Sequence, residues 1–154
     1  MKALAETAMW GYLKRFTISH VITYLVCGLI FMNLMGYQKE FLTNPIFSHF
    51  RPINSPIVQA AVLFQFIRGG FFALILYPFR KTIIDNKRGW LMMFWVIWGL
   101  TCIGSVNAAP GSIEGLIYTD ISLKTHFVGM PEVIVQALAF SVLFWAWERR
   151  SHHE

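Results

Sequence analysis

The sequence predicts an all-α membrane protein, a bundle of four transmembrane helices, and three observations predict it. The 154 residues are 56% hydrophobic and 16% aromatic with 14% charged, where a soluble domain carries about 25% charged residues. The charges are bunched between four long apolar stretches, 17–37, 56–79, 89–108 and 131–147, each near the ~20 residues that cross about 30 Å of hydrocarbon. The mean hydropathy of +0.52 agrees. Loops of about 18, 9 and 22 residues remain between the stretches. They are too short for a soluble domain, so residues 1–154 read as one integral membrane domain.

Residues 1–16 precede the first stretch. Leu4, Ala8, Tyr12 and Phe16 recur at steps of four with Met9 and Leu13 beside them. That pattern predicts either a short helix in the headgroup layer, with Lys2 and Lys14 toward anionic lipid, or a frayed tail. Stretch 17–37 is longer than a signal-peptide core and ends without a small-x-small cleavage pattern, so it reads as a retained anchor.

Ser55-Pro56 opens the second helix with a capping hydroxyl followed by proline at the first helical position, and Pro78 with Arg80-Lys81 closes it. Gly89-Trp90 opens the third helix. Met130-Pro131-Glu132 starts the fourth with a carboxylate in the first turn, where exposed amides favour negative charge. Trp90, Trp145 and Trp147 fall where an interfacial aromatic belt belongs.

Lys and Arg set the expected orientation. Nine of them, Lys2, Lys14, Arg15, Arg80, Lys81, Lys87, Arg88, Arg149 and Arg150, fall on one side of the four stretches, and three, Lys39, Arg51 and Lys124, on the other. The excess predicts cytoplasmic N- and C-termini and outward-facing loops 38–55 and 109–130, in a cytoplasmic (inner) membrane of bacterial type. Topology accounts for most of the net charge of +5, so the basic side needs no nucleic-acid partner.

Polar side chains are unevenly spread along the spans. The cytoplasmic halves are nearly bare apart from His20 and Thr23, while the outer halves carry Asn33, Gln59, Gln65, Arg68, Ser105, Asn107, Glu132 and Gln136. Polar groups in hydrocarbon are costly unless they face protein or water. The distribution therefore predicts an outward-facing polar pocket lined by Arg68, Gln65, Gln136, Glu132 and Asn107.

Arg68 stands near the middle of its stretch, where a charge costs about 2.5–3.5 kcal/mol on insertion scales. Its planar fork suits a carboxylate or phosphate. Gln65, one turn earlier, is placed to orient it. Glu132 and Glu114 are the intrachain counterions at hand, although helical rise puts Glu132 about 18 Å nearer the surface. A docking pair between the second and fourth helices is the structural alternative.

The outer loop 109–130 carries Glu114, Asp120 and His126 and an apolar run over 113–121, which predicts a lid or re-entrant turn at the pocket mouth. Glu114, His126 and Glu132 are the candidate catalytic groups. No metalloprotease, nucleophile-elbow, phosphate-loop or dinucleotide motif accompanies them, and no metal or cofactor is expected. Cys27 and Cys102 fall at similar depth and read as packing thiols, with a transmembrane disulfide as the alternative.

Three functions fit. The first is binding, or help in transport, of an anionic or amphiphilic, lipid-like ligand. The second is an enzyme acting on a lipid or isoprenoid substrate, with Glu114, His126 or Glu132 as base. The third is an accessory subunit of a larger membrane complex, or a homo-oligomer, docking through Arg68.

Overall fold

The computed structural model describes residues 2–36, 51, 52 and 54–153. Loop 38–55, with Lys39 and His49, lies largely outside the described residues, as do the side chains of Lys2 and Leu4. Among the described residues the fold is helical with no strand. Three helical segments, Ala8–Leu34, Ala61–Ile84 and Leu123–His152, are long and apolar enough to cross a membrane.

Helix α1 runs unbroken over Lys2–Leu34. Residues 2–16 therefore belong to that helix and form neither a separate headgroup helix nor a frayed tail. Nothing between Phe16 and Ser19 breaks a helix, and Tyr12 and Phe16 of the stripe face protein. Tyr12 and Phe16 are fully buried, with the Phe16 ring edge-on to Phe140 and Phe144 at 4.8 Å.

The second rod consists of α2 (Pro56–Gln59), α3 (Ala61–Leu76), a 3-10 turn (Tyr77–Phe79) and α4 (Arg80–Ile84). Proline at Ser55-Pro56 stands at the helix start as expected, although the Ser55 side chain makes no capping bond. Pro78 does not end the rod. It is absorbed by the tighter turn and the helix resumes for a further turn through Arg80.

The third rod differs most from expectation. Helix α5 (Gly89–Phe94) passes into a π-helix over Trp95–Ile103, and the chain leaves helix at Gly104, whose N–H donates to the Gly99 carbonyl at 2.7 Å. Even at full α rise, Gly89–Ile103 spans no more than about 22 Å, short of a ~30 Å hydrocarbon core. The apolar residues to 108 continue past the helix end.

Loop 109–130 folds as two short helices, α6 (Ile113–Tyr118) and α7 (Leu123–Val128). Each has a serine N-cap: Ser112 Oγ accepts from the Gly115 N–H at 2.9 Å and Ser122 Oγ from the Thr125 N–H at 3.3 Å. Helix α8 (Met130–His153) follows directly and carries Glu132 in its first turn.

Helix α1 packs against α3 and α8, and α5 packs against α8. The core lies where the first half of α1 meets the end of α3, α4, α5 and the middle of α8. Tyr12, Phe16, Ala73, Leu76, Ile83, Ile84, Met93, Phe140 and Phe144 form it. Two glycines permit the close approaches. A methyl at Gly69 would sit 3.2 Å from the Thr17 Cα of α1, and one at Gly89 would overlap the Ile83 carbonyl and come within 2.7 Å of Trp145 Nε1.

Gly89→Ala should therefore lower stability by about 1–3 kcal/mol through overpacking. Gly99→Ala, where nothing stands within 4 Å, should be neutral or stabilising. Thermal unfolding in detergent compares the two, and equal midpoints would count against this packing.

Candidate functional site

A cavity of about 420 Å3 opens between the rods. Helix α1 contributes His20 and Tyr24, α3 contributes Arg68 and Phe72, and the π-helix Ile97 and Thr101. Val128 and Gly129, at the end of α7, adjoin Glu132, Val133, Gln136, Ala137 and Phe140 of α8. Helical spacing explains each set: His20 and Tyr24, Arg68 and Phe72, and Glu132 and Gln136 are all i,i+4 pairs, so each helix turns one polar-aromatic face to the same space.

Arg68 keeps an accessible side chain, and its guanidinium lies 5.3 Å from the Phe72 ring centroid. The aromatic face offers the cation partial compensation. Arg68 forms no ion pair with a described carboxylate, so its fork of donors remains directed to the cavity that it lines. Glu132 lines the same cavity, with its carboxylate toward Gly28 of α1. The charged groups at Arg68 and Glu132 and the Gln136 amide thus share one wall system with aromatic and aliphatic side chains.

Gln65 has a different role from the one its spacing suggested. It is buried and reaches across to α1, where its Oε1 lies 3.2 Å from His20 Nε2. No hydrogen bond joins it to Arg68 among the described residues. The His20 ring lies edge-on between Phe72 and Phe140, at 6.1 and 5.8 Å. Gln65 therefore positions the imidazole that forms part of the cavity wall. His20, Tyr24 and Thr101 were absent from the sequence-based site because one helix's periodicity does not say which faces of different helices meet.

The remaining candidates lie elsewhere. Asn107 is exposed, and its backbone carbonyl accepts from the Ser112 hydroxyl at 2.8 Å. Glu114 sits half-buried in the first turn of α6. His126 is buried, with Nδ1 accepting the Gly111 N–H at 3.1 Å. That bond assigns the ring proton to Nε2, which has no hydrogen-bond partner among the described residues. His126 thus braces the α6–α7 segment. Of that segment, the end of α7 reaches the cavity while Glu114 and Asp120 do not line it.

Cys27 and Cys102 are free thiols. No group of three potential metal ligands occurs among the described residues. A second polar feature, a buried carboxylate at Glu148, stands at the other end of the core. No family model, curated protein or solved structure matches the chain.

Proposed function

We propose that the protein crosses the membrane four times, the third crossing completed by the non-helical apolar residues that follow Ile103, with both termini cytoplasmic, in a bacterial inner membrane, and that its cavity binds, or helps to transport, an anionic amphiphile such as a lipid. The observation that carries this reading is the convergence of Arg68, Glu132 and Gln136 from two helices on one cavity that Phe72, Phe140, Ile97 and Val133 also line. Arg68 supplies a bidentate donor fork for a phosphate or carboxylate. Glu132 and Gln136 set its orientation, and the apolar walls take a chain. A cavity that holds a charged group beside apolar surface suits a ligand with both parts.

Val128 and Gly129, within the loop expected to face outward, line the cavity, which supports entry from the outer leaflet. The accessible volume suits a headgroup and part of a chain better than a continuous pore. Transport would then require a second copy or a partner.

Extraction in mild detergent, followed by mass spectrometry of retained lipids, should find an anionic lipid enriched over its share of the membrane, and retention in membrane proportions would refute the reading. A periplasm-dependent reporter enzyme fused after Arg150 should be inactive. Activity there would overturn the orientation.

A further inference from the structure

Glu148 of α8 is completely buried, and two arginines close on it. Arg15 Nε of α1 donates to Oε2 at 2.6 Å and Arg80 Nε of α4 donates to Oε1 at 2.8 Å. One carboxylate neutralises one guanidinium, so the triad keeps an excess positive charge. Both arginines are engaged through Nε. The terminal nitrogens of Arg15 lie beside Gly11 and make no hydrogen bond among the described residues, and one of those of Arg80 is 3.4 Å from His152 Nδ1. The arginine side chains are 20% and 16% exposed, enough for a ligand to reach their outer edges.

Position matters as much as charge. Arg15, Arg80 and Glu148 lie toward one end of the membrane-capable segments Ala8–Leu34, Ala61–Ile84 and Leu123–His152, at the edges of the apolar stretches 17–37, 56–79 and 131–147, and packing brings the three edges together. Charged edges of this kind fall near lipid phosphates. The Tyr12 hydroxyl, buried without a partner among the described residues, lies within electrostatic reach of Glu148 and Arg80. Trp145 and Arg149 stack at 4.9 Å on the adjoining turn of α8.

We propose that Arg15 and Arg80, held in place by Glu148, form a site for the phosphate of an anionic phospholipid in the leaflet at that end of the bundle. Glu148 fixes the two guanidinium planes through their inner edges, leaving terminal N–H groups for phosphate oxygens. An anionic headgroup offsets the excess charge, which a zwitterionic one does not. The site is separate from the Arg68 cavity and stands or falls independently of it.

Native mass spectrometry of the detergent-solubilised protein carrying Arg68→Gln, which removes the anion fork of the cavity, titrated with phosphatidylglycerol and with phosphatidylcholine of the same acyl chains, tests this. That background should prefer the anionic lipid about fivefold, the effect of one basic charge at a lipid surface. Arg80→Gln removes the excess charge and leaves the Arg15–Glu148 pair intact, and should bring the two lipids near parity. Should that variant not fold, Arg80→Lys keeps the charge without the fork, and should keep the preference while weakening the binding of both lipids. Lys87→Gln with Arg88→Gln removes two exposed loop charges and should keep the preference. An unchanged preference in Arg80→Gln, or unchanged binding of both lipids in Arg80→Lys, would overturn the proposal, as would equal loss in the Lys87/Arg88 variant. Displacement of phosphatidylglycerol by millimolar inorganic phosphate would also overturn it, by making a soluble anion the ligand.

Discussion

Glu148→Ala is expected to cost about 3–5 kcal/mol, the loss typical when one member of a buried ion pair is removed and its partners stay. The carboxylate is 0% exposed and accepts from Arg15 and Arg80 at 2.6 and 2.8 Å. Without it, two guanidiniums face each other at the junction of α1, α4 and α8. Partial exposure of the arginines places the loss toward the lower end of that range. Removing one arginine is a smaller perturbation, because Glu148 keeps the other. Arg80→Leu should therefore cost less than Glu148→Ala, and adding Arg80→Leu to Glu148→Ala should restore part of the lost stability. Unfolding of the single and double variants in detergent measures this coupling. Additive losses would show that Glu148 does not hold the two arginines as one unit.

Arg68→Gln should act in the opposite sense on stability. Removing a charge from the middle of an apolar helix relieves an insertion cost of about 2.5–3.5 kcal/mol, while the stacking on Phe72 that it loses contributes about 0.5–2 kcal/mol. The variant should thus fold at least as well as wild type. Retention of an anionic amphiphile should nevertheless fall about 10- to 100-fold, the worth of charge-assisted hydrogen bonds to the headgroup. Arg68→Lys keeps the charge without the fork and should fall between. A drop in stability with unchanged lipid retention would reassign Arg68 to helix docking.

The apolar stretches, the prolines at 56 and 131 and the intramembrane arginine were legible because each is a property of one segment read alone. Residues at 68, 132 and 136 were expected to share a pocket and do line one cavity, although counting helical rise put Glu132 about 18 Å nearer the surface than Arg68. What counting does not give is the rotation of one helix against another. Gln65 faces His20 on α1 rather than Arg68, and Arg15 and Arg80, read as topology charges, meet at Glu148. The stripe through Tyr12 and Phe16 was visible, but an amphipathic stripe suits a lipid surface and a protein core equally. The π winding of Trp95–Ile103 has no residue signature, and it shortened the third rod. The serines at 112 and 122, by contrast, were capping residues in plain view ahead of α6 and α7, overlooked in favour of the apolar run beside them.

Photo-crosslinking from within the cavity tests the central claim most directly. A photoreactive amino acid at Thr101, which lines the cavity, is compared with one at Leu63, which is exposed on α3, and the captured lipids are identified by mass spectrometry. An anionic lipid adduct is expected at 101 that is lost with Arg68→Gln, with adducts in bulk membrane proportions at 63 whether or not Arg68 is present. The same lipid mixture at both positions, indifferent to Arg68, would contradict it.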